Sequence, residues 1–225
     1  MPALPKSSRP IIHAMRILLI RHGETSLNVT RVLQPADTPL SARGIAQARA
    51  LAQRLAGAGV QHIVSSDLPR ARHTAELIAA ATGASLATTE LLRERNFGDW
   101  RGQPYDHLAI DPLTMRDAPP GGESAEVFEA RVARAFAHIV DPQVNPHAAE
   151  ALQHHALAVV THGLVLRAML AAHIRLPDGR APPQHLGNTS LSEFAAAPPH
   201  LASLVNCLRH LDDDAGDDPQ ALSGG

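Results

Sequence analysis

The sequence predicts an α/β fold: a three-layer α/β/α sandwich with a mostly parallel, mixed central sheet. Short apolar runs alternate with segments of helical periodicity, a pattern typical of strands connected by helices. The runs at 15–20 and 156–161 are apolar almost throughout, as expected of strands buried on both faces. Two runs near the C-terminus, at 190–196 and 201–208, surround Pro198-Pro199 and predict a hairpin that makes the sheet mixed.

The first part of the chain predicts three strands and two helices. Ser41 and Asp67 are placed to cap the two helices, and Pro69 fits a first helical turn. In chain order we expect a strand at 15–20, a loop at 24–40 with a helical turn at most, a helix at 41–56, a strand at 60–65, a helix from 67 to about 81 and a strand at 85–89.

The second part contains a long segment, 90–123, that is polar and rich in glycine and proline. Long irregular segments inside a compact domain are usually functional, and this one leaves room for a short helix near 104–110. The remaining elements are a helix at 124–140 capped by Ser124, a helix at 147–153, the strand at 156–161, a helix to about 173 and the two strands of the hairpin.

Length and composition predict one domain at 15–211, preceded by a flexible arm at 1–14 and followed by a disordered acidic tail at 212–225. The tail holds five of the 22 acids, so the body has 17 acids against 20 Lys and Arg, about +3. That charge is too small to predict a nucleic-acid partner. No apolar run is long enough for a signal peptide or a membrane span. Cys207 is the single cysteine, so we expect no disulfide and a reducing cytoplasmic location. We also expect the protein to be a monomer or a homodimer.

Two predicted strands end in the same way. Arg21-His22-Gly23 follows the first strand, and Thr161-His162-Gly163 closes the strand at 156–161. Ligands of open α/β sheets collect outside the carboxyl ends of strands, so both histidines are placed where a ligand binds. One such histidine is more often structural, whereas two in matched positions favour catalysis.

Other segments bring charged groups to the same edge. Arg70 opens the helix after the second strand, where a cation opposes the helix dipole unless an anion lies nearby. Glu94 lies in the long segment and can reach over the sheet edge, although between Arg93 and Arg95 it also fits a surface ion pair. The pair His154-His155 has no nearby carboxylate or thiol, so we expect no metal site.

At this point the chain resembles the histidine phosphatase superfamily, which includes cofactor-dependent phosphoglycerate mutases. Five blocks carry the resemblance in the family's order, and together they are specific where Arg-His-Gly alone is not. The blocks are Arg21-His22-Gly23-Glu24-Thr25 with Asn28, Ser65 to Ala71, Glu94-Arg95-Asn96-Phe97-Gly98, Gly122-Glu123-Ser124, and Thr161-His162-Gly163.

The resemblance implies a role for each matched residue. His22 becomes the phosphohistidine, and Glu94 is the general acid. The phosphoryl group is held by Arg21, Asn28, Arg70, His162 and Gly163. The arginines supply the positive charge, so we expect the protein to need neither a cofactor nor a metal ion.

The expected reaction is hydrolysis of a small-molecule phosphomonoester. Mutases of the family carry a long insertion between the blocks that contain Glu94 and Glu123, whereas this chain has a short proline-rich segment there. Phosphoglycerate mutase-type transfer remains the first alternative, and a non-catalytic phospho-ligand binding module the second. One departure, Gln34-Pro35-Ala36 where the family often has Gln-Gly, affects the shape of a loop beside the pocket.

Overall fold

The structure is a computed structural model that describes residues 15–141 and 156–211. The predicted arm at 1–14, the predicted helix at 147–153, His154-His155 and the acidic tail lie outside the described residues. The described strands are β1 (Arg16–Arg21), β2 (Val60–Ser66), β3 (Ser85–Thr89), β4 (Ala156–Thr161), β5 (Leu191–Ala195) and β6 (Ala202–Cys207). The described α-helices are α1 (Ser26–Val29), α2 (Ala42–Leu55), α3 (Pro69–Thr82), α4 (Ala125–Val140) and α5 (Gly163–Ala172).

The strands form one mixed sheet in the order β3-β2-β4-β1-β5-β6. Strands β1 to β4 run parallel to one another, and β5 is antiparallel to both of its neighbours, β1 and β6. The order places β4 between β1 and β2, with Arg21 opposite Thr161 in the register. The carboxyl ends of these three strands therefore meet at one place on the sheet edge.

Helices cover both faces of the sheet, so the predicted three-layer α/β/α sandwich is confirmed. Alternate residues of the central strands point to opposite faces, as the strand period requires. Leu18 and Ile20 pack with α2 and α3, whereas Ile17 and Leu19 pack with α4 and α5. No α-helix within 15–141 or 156–211 is long and apolar enough to cross a bilayer.

The helix that carries Arg70 begins differently from the prediction. Leu68, not Asp67, is the N-cap residue of α3, and no side chain caps its first turn. Asp67 instead accepts a two-pronged ion pair from Arg93. The predicted cap was wrong because the carboxylate of Asp67 pairs with the guanidinium of Arg93, in the long segment, instead of with the first turn of α3.

The long segment is irregular, as predicted, and contains three short 3₁₀ turns at Glu90–Leu92, Gly98–Trp100 and Tyr105–His107. The last of these lies where a short helix was expected. The loop at 24–40 contains only the one-turn helix α1, and Ser41 and Ser124 cap α2 and α4 as predicted.

Candidate active site

His22 and His162 lie side by side at the sheet edge. Each follows the last residue of its strand, and the two strands are neighbours in register. The backbone N–H of His22 donates to the carbonyl of Thr161 at 2.9 Å, and the two ring centroids are 5.1 Å apart. Both side chains are fully buried. The matched strand ends thus place two imidazoles within reach of one ligand.

The hydrogen bond of His22 fixes its tautomer. Its Nδ1 lies 2.7 Å from the carbonyl oxygen of Gly23, which can only accept, so Nδ1 carries the proton. Its Nε2 keeps its lone pair and has no hydrogen-bond partner among the described residues. Burial, followed by the charges of Arg70 and Arg21, holds the pKa of His22 well below its usual 6.5. The imidazole is therefore neutral, with Nε2 available as a nucleophile.

His162 faces the site with a donor. Its Nε2 lies 2.8 Å from the hydroxyl oxygen of Ser66, which also accepts from the N–H of Leu68 at 3.3 Å. We infer that the Ser66 hydroxyl donates to Nε2 of His162, which places the ring proton on Nδ1. Burial and the charge of Arg70 hold the pKa of His162 well below 6.5, so the ring is a neutral donor rather than a cation.

Arg21 and Arg70 bring two buried guanidinium groups to this edge. Arg21 is oriented by donation to the carbonyl of Leu186, and Arg70 by donation to the carbonyl of Pro35 at 3.3 Å. Burial lowers the pKa of Arg70 to about 10, which leaves the group charged at neutral pH. The carboxyl group of Glu94 opposes this shift when it is ionised, and in that form it offsets the cation in the first turn of α3.

Glu94 is buried and held at both oxygens. Oε1 accepts from the N–H of Arg95 at 2.9 Å, and Oε2 accepts from the N–H of Leu164, in the first turn of α5, at 3.1 Å. Burial raises the pKa of Glu94 above its usual 4.5, against the opposing effect of these hydrogen bonds and of the arginines. Burial is therefore the main cause of the raised pKa of Glu94.

Arg131 on α4 positions the segment that carries Glu94. Its guanidinium donates to the carbonyls of Leu91, Arg93 and Glu94 at 3.0, 2.7 and 3.3 Å. The same group forms a two-pronged ion pair with Glu123, at 2.8 and 2.7 Å. Nothing in the local sequence marks Arg131 as part of the site, because a helical arginine usually faces solvent.

Two amide side chains complete the edge. Asn28 Oδ1 accepts from the N–H of Thr25 at 3.0 Å and from Nδ2 of Asn188 at 3.3 Å, and its own Nδ2 is buried without a partner in the described residues. Gln34 Oε1 accepts from the Thr25 hydroxyl at 3.0 Å, and its Nε2 is likewise buried and unpartnered there. Gln34 was missed as a site residue, because in the sequence its loop stands out only for the proline that follows.

These side chains leave several buried polar nitrogens without a hydrogen-bond partner in the described residues. Buried polar groups are almost always paired, so such a cluster indicates that a ligand supplies the acceptors. The nitrogens are His22 Nε2, Asn28 Nδ2, Gln34 Nε2, Arg70 Nε and His162 Nδ1. Gly163, also expected at the site, is the first residue of α5, where backbone N–H groups favour an anion. The arrangement suits a phosphoryl group that is surrounded by donors and faces one lone pair.

The described residues contain no group of three His, Cys, Asp or Glu side chains arranged to hold a metal ion.

Comparison with protein families gives a match across the site. A model described as histidine phosphatase superfamily (branch 1) matches residues 17–204. The chain is 34% identical over 185 residues to a protein of Yersinia pestis (strain Pestoides F) named as a probable phosphoglycerate mutase. That match covers 79% of this chain and 83% of the relative.

Several solved structures with the same fold are phosphatases by name. A mycobacterial glucosyl-3-phosphoglycerate phosphatase in complex with VO3 matches with a TM-score of 0.70 and 30% identity, over 86% of this chain and 100% of that one. A phosphoserine phosphatase mutant of Entamoeba histolytica, in complex with phosphoserine, matches with a TM-score of 0.67 and 26% identity. That match covers 88% of this chain and 100% of the other.

Proposed function

The chain belongs to the histidine phosphatase superfamily, and from that premise we propose that it hydrolyses a small-molecule phosphomonoester through a phosphohistidine at His22. The observation that carries this proposal is the cluster of buried, unpartnered donors around the free lone pair of His22 Nε2. A phosphomonoester dianion supplies the acceptors that these donors lack, and its phosphorus then faces the nucleophile.

In the first step, His22 Nε2 attacks phosphorus and the bond to the alcohol oxygen breaks. Arg21, Arg70 and His162 Nδ1 donate to the phosphoryl oxygens and stabilise the charge that spreads over them in the transition state. His22 attacks as a neutral imidazole, and its Nδ1 proton stays on the bond to Gly23, so the phosphohistidine forms with a fixed ring.

Glu94 handles the protons of both steps. Its raised pKa keeps the carboxyl protonated over a wider pH range, so it can give its proton to the departing alkoxide. The resulting carboxylate takes a proton from the water that attacks the phosphohistidine, and the phosphate that leaves restores neutral His22. The guanidinium groups supply the positive charge, so we propose that this chemistry needs no metal ion.

The proposal is tested by turnover of para-nitrophenyl phosphate in the presence of a metal chelator. We expect activity that survives the chelator and falls by at least about a thousandfold in His22→Ala, since the nucleophile is lost. His107→Ala is the matched control, because His107 is exposed and far along the chain from the strand ends.

Two results would argue against a metal-independent phosphatase. Activity that depends on an added divalent cation would contradict the charge-supplying role of the arginines. Binding of inorganic phosphate without any turnover would make the protein a phospho-ligand binding module.

Phosphoglycerate mutase activity is the second candidate, favoured by the name of the Yersinia pestis relative. Incubation with 3-phosphoglycerate, with and without 2,3-bisphosphoglycerate, separates the two reactions. A phosphatase releases free phosphate in both mixtures, whereas a mutase produces 2-phosphoglycerate when the bisphosphate is present. The names of the two phosphatase structures support the first result.

A further inference from the structure

A cavity of about 490 Å³ opens beside Glu94, the proposed acid for the departing alcohol. Four arginines line it: Arg93, Arg101, Arg131 and Arg134. The phosphoryl-binding groups Arg21, Arg70 and His162 do not line this cavity. Because Glu94 is the proposed acid for the departing alkoxide, we assign this cavity to the leaving group, and its charge then bears on which leaving groups fit.

Two of these arginines are neutralised by neighbouring carboxylates. Arg93 pairs with Asp67 and Glu90, and Arg131 pairs with Glu123. In the described part of the chain, the guanidinium groups of Arg101 and Arg134 take part in no ion pair or hydrogen bond. Arg134 is exposed, whereas Arg101 is partly buried. An unpaired guanidinium that is partly withdrawn from water is costly unless a ligand supplies an anion.

The backbone on both sides of Arg101 is held in place. Its own N–H donates to the carbonyl of Gly98 at 3.2 Å, and the N–H of Gly102 donates to the carbonyl of Leu33 at 2.6 Å. The preceding side chain, Trp100, packs against the larger hydrophobic core. The guanidinium is thus carried on a fixed segment, which reduces the entropy lost when it binds a ligand.

Arg101 is also close enough to the phosphoryl site to affect it. Its positive charge contributes to the lowered pKa of Arg70, after burial and alongside Arg21. Burial likewise lowers the pKa of Arg101 itself. Arg101 therefore lines the cavity beside Glu94 and lies within electrostatic range of Arg70, which holds the transferred phosphoryl group.

We propose that Arg101 binds an oxyanion on the alcohol side of the ester, so that the preferred substrates carry a carboxylate or a second phosphate near the scissile phosphoryl group. Both groups match the planar fork of a guanidinium, which can donate two parallel hydrogen bonds to either. The inference rests on the proposed phosphatase function, because it assigns the leaving-group side of that same site.

Three substrates with one three-carbon skeleton test the inference: sn-glycerol 3-phosphate, 3-phosphoglycerate and glycerol 1,3-bisphosphate. They carry a hydroxymethyl group, a carboxylate and a phosphorylated hydroxymethyl group, respectively, at the end of the skeleton opposite the scissile group. We expect wild-type kcat/KM to be at least about tenfold higher for one or both anionic substrates than for sn-glycerol 3-phosphate, as for a charge-assisted hydrogen bond. Whichever anion is favoured identifies the source of the oxyanion.

The variant Arg101→Gln should reduce this preference to within about threefold, because the amide keeps a donor but loses the charge and the fork. Arg101→Lys should retain part of it. Arg72→Gln is the matched control: it removes one arginine charge from an exposed pair with Glu76 on α3, and should keep the wild-type preference.

Three results would overturn the inference. The wild-type protein could show no preference, the preference could survive in Arg101→Gln, or that variant could lose activity equally on all three substrates. The last result would make Arg101 a ligand of the transferred phosphoryl group. Hydrolysis of para-nitrophenyl phosphate separates the two proposals, since its presence upholds the phosphatase function whatever the preference, and its absence removes both.

Discussion

At the scale of single residues, the orientation of His162 depends on one hydroxyl group. Ser66 lies at the end of β2, and its oxygen is 2.8 Å from His162 Nε2. When the Ser66 hydroxyl donates to Nε2, the ring carries its own proton on Nδ1, the nitrogen without a partner in the described residues. We infer that Ser66 acts through His162 as a positioning residue, whereas the neighbouring Ser65 donates to the carbonyl of Ser66.

Replacing Ser66 with alanine should allow the other tautomer of His162 and place a lone pair against the phosphoryl oxygens. We expect kcat/KM for a phosphomonoester to fall by about ten- to a hundredfold, in line with the loss of one charge-assisted donor. The matched control is Ser65→Ala, which removes a buried hydroxyl that donates to the carbonyl of Ser66. Equal effects of the two substitutions would show that Ser66 has only a structural role.

The opposite pKa shifts of His22 and Glu94 predict how activity depends on pH. Reaction requires neutral His22, whose pKa is lowered, and protonated Glu94, whose pKa is raised. Activity is therefore lost as pH rises through the raised pKa of Glu94, and lost in acid only below the lowered pKa of His22. We expect Glu94→Gln to remove the alkaline loss and to slow the reaction of an alkyl phosphate by about 10² to 10⁴.

The measurement is the ratio of wild-type to Glu94→Gln kcat/KM across pH, in which the titration of the substrate itself cancels. The ratio should be large in acid and fall as pH rises through the pKa of Glu94. A ratio that is constant with pH would mean that the proton of Glu94 is not transferred in the first step.

At the scale of elements, helix α2 packs so closely against the turn after His22 that no side chain fits between their backbones. A Cβ added to Gly44, in the first turn of α2, would lie 2.0 Å from the carbonyl oxygen of Glu24. A Cβ on Gly23 would lie 2.4 Å from the carbonyl oxygen of Gly44. Backbone therefore packs on backbone here, and the position of α2 fixes the position of the nucleophile.

Gly44→Ala should push α2 away from this turn, lower the free energy of unfolding by about 1–3 kcal/mol and reduce kcat. Gly57→Ala is the control, because an added Cβ at Gly57 meets nothing within 4 Å and should be neutral or slightly stabilising. Urea unfolding and steady-state kinetics on the two variants check this. Wild-type kcat in a destabilised Gly44→Ala protein would separate the packing of α2 from the placement of His22.

Helix α4 acts on Glu94 through Arg131. The Arg131–Glu123 pair is only 12% and 17% exposed, so Arg131→Met leaves a largely buried carboxylate without its partner. We expect the free energy of unfolding to fall by about 3 kcal/mol, and kcat to fall as the Glu94 segment loosens. Arg116→Met, from the 70% and 53% exposed pair with Glu129, should cost less than about 1 kcal/mol. Similar losses in both variants would contradict the structural role of Arg131.

At the scale of the whole molecule, periodicity and strand-end chemistry predict the sandwich and bring His22, His162, Arg21 and Arg70 to one edge. Those residues could be found because strand ends converge through sheet order, which parallel pairing constrains strongly. The roles of Ser66, Gln34 and Arg131 could not be found, because they depend on which side-chain atom faces the site. The same limit explains Asp67. The sequence predicts it as a helix cap, but in the fold its carboxylate pairs with Arg93 of the long segment.

Acid stability of the whole fold follows from its buried histidines. Burial lowers the pKa of His22 and His162 well below 6.5, whereas the unfolded chain titrates near that value. Between the folded-state and unfolded-state pKa values, the unfolded state binds more protons. The contribution of these histidines to the free energy of unfolding is therefore fully present above about pH 6.5 and decreases as pH falls. Each such histidine contributes a slope of up to about 1.4 kcal/mol per pH unit. The free energy of unfolding is measured with urea from pH 7.5 to 5 in phosphate-free buffer. In His22→Gln its slope against pH should decrease by up to the contribution of one histidine. The exposed His107→Gln should retain it, and an unchanged slope in His22→Gln would mean that His22 is protonated in the folded protein.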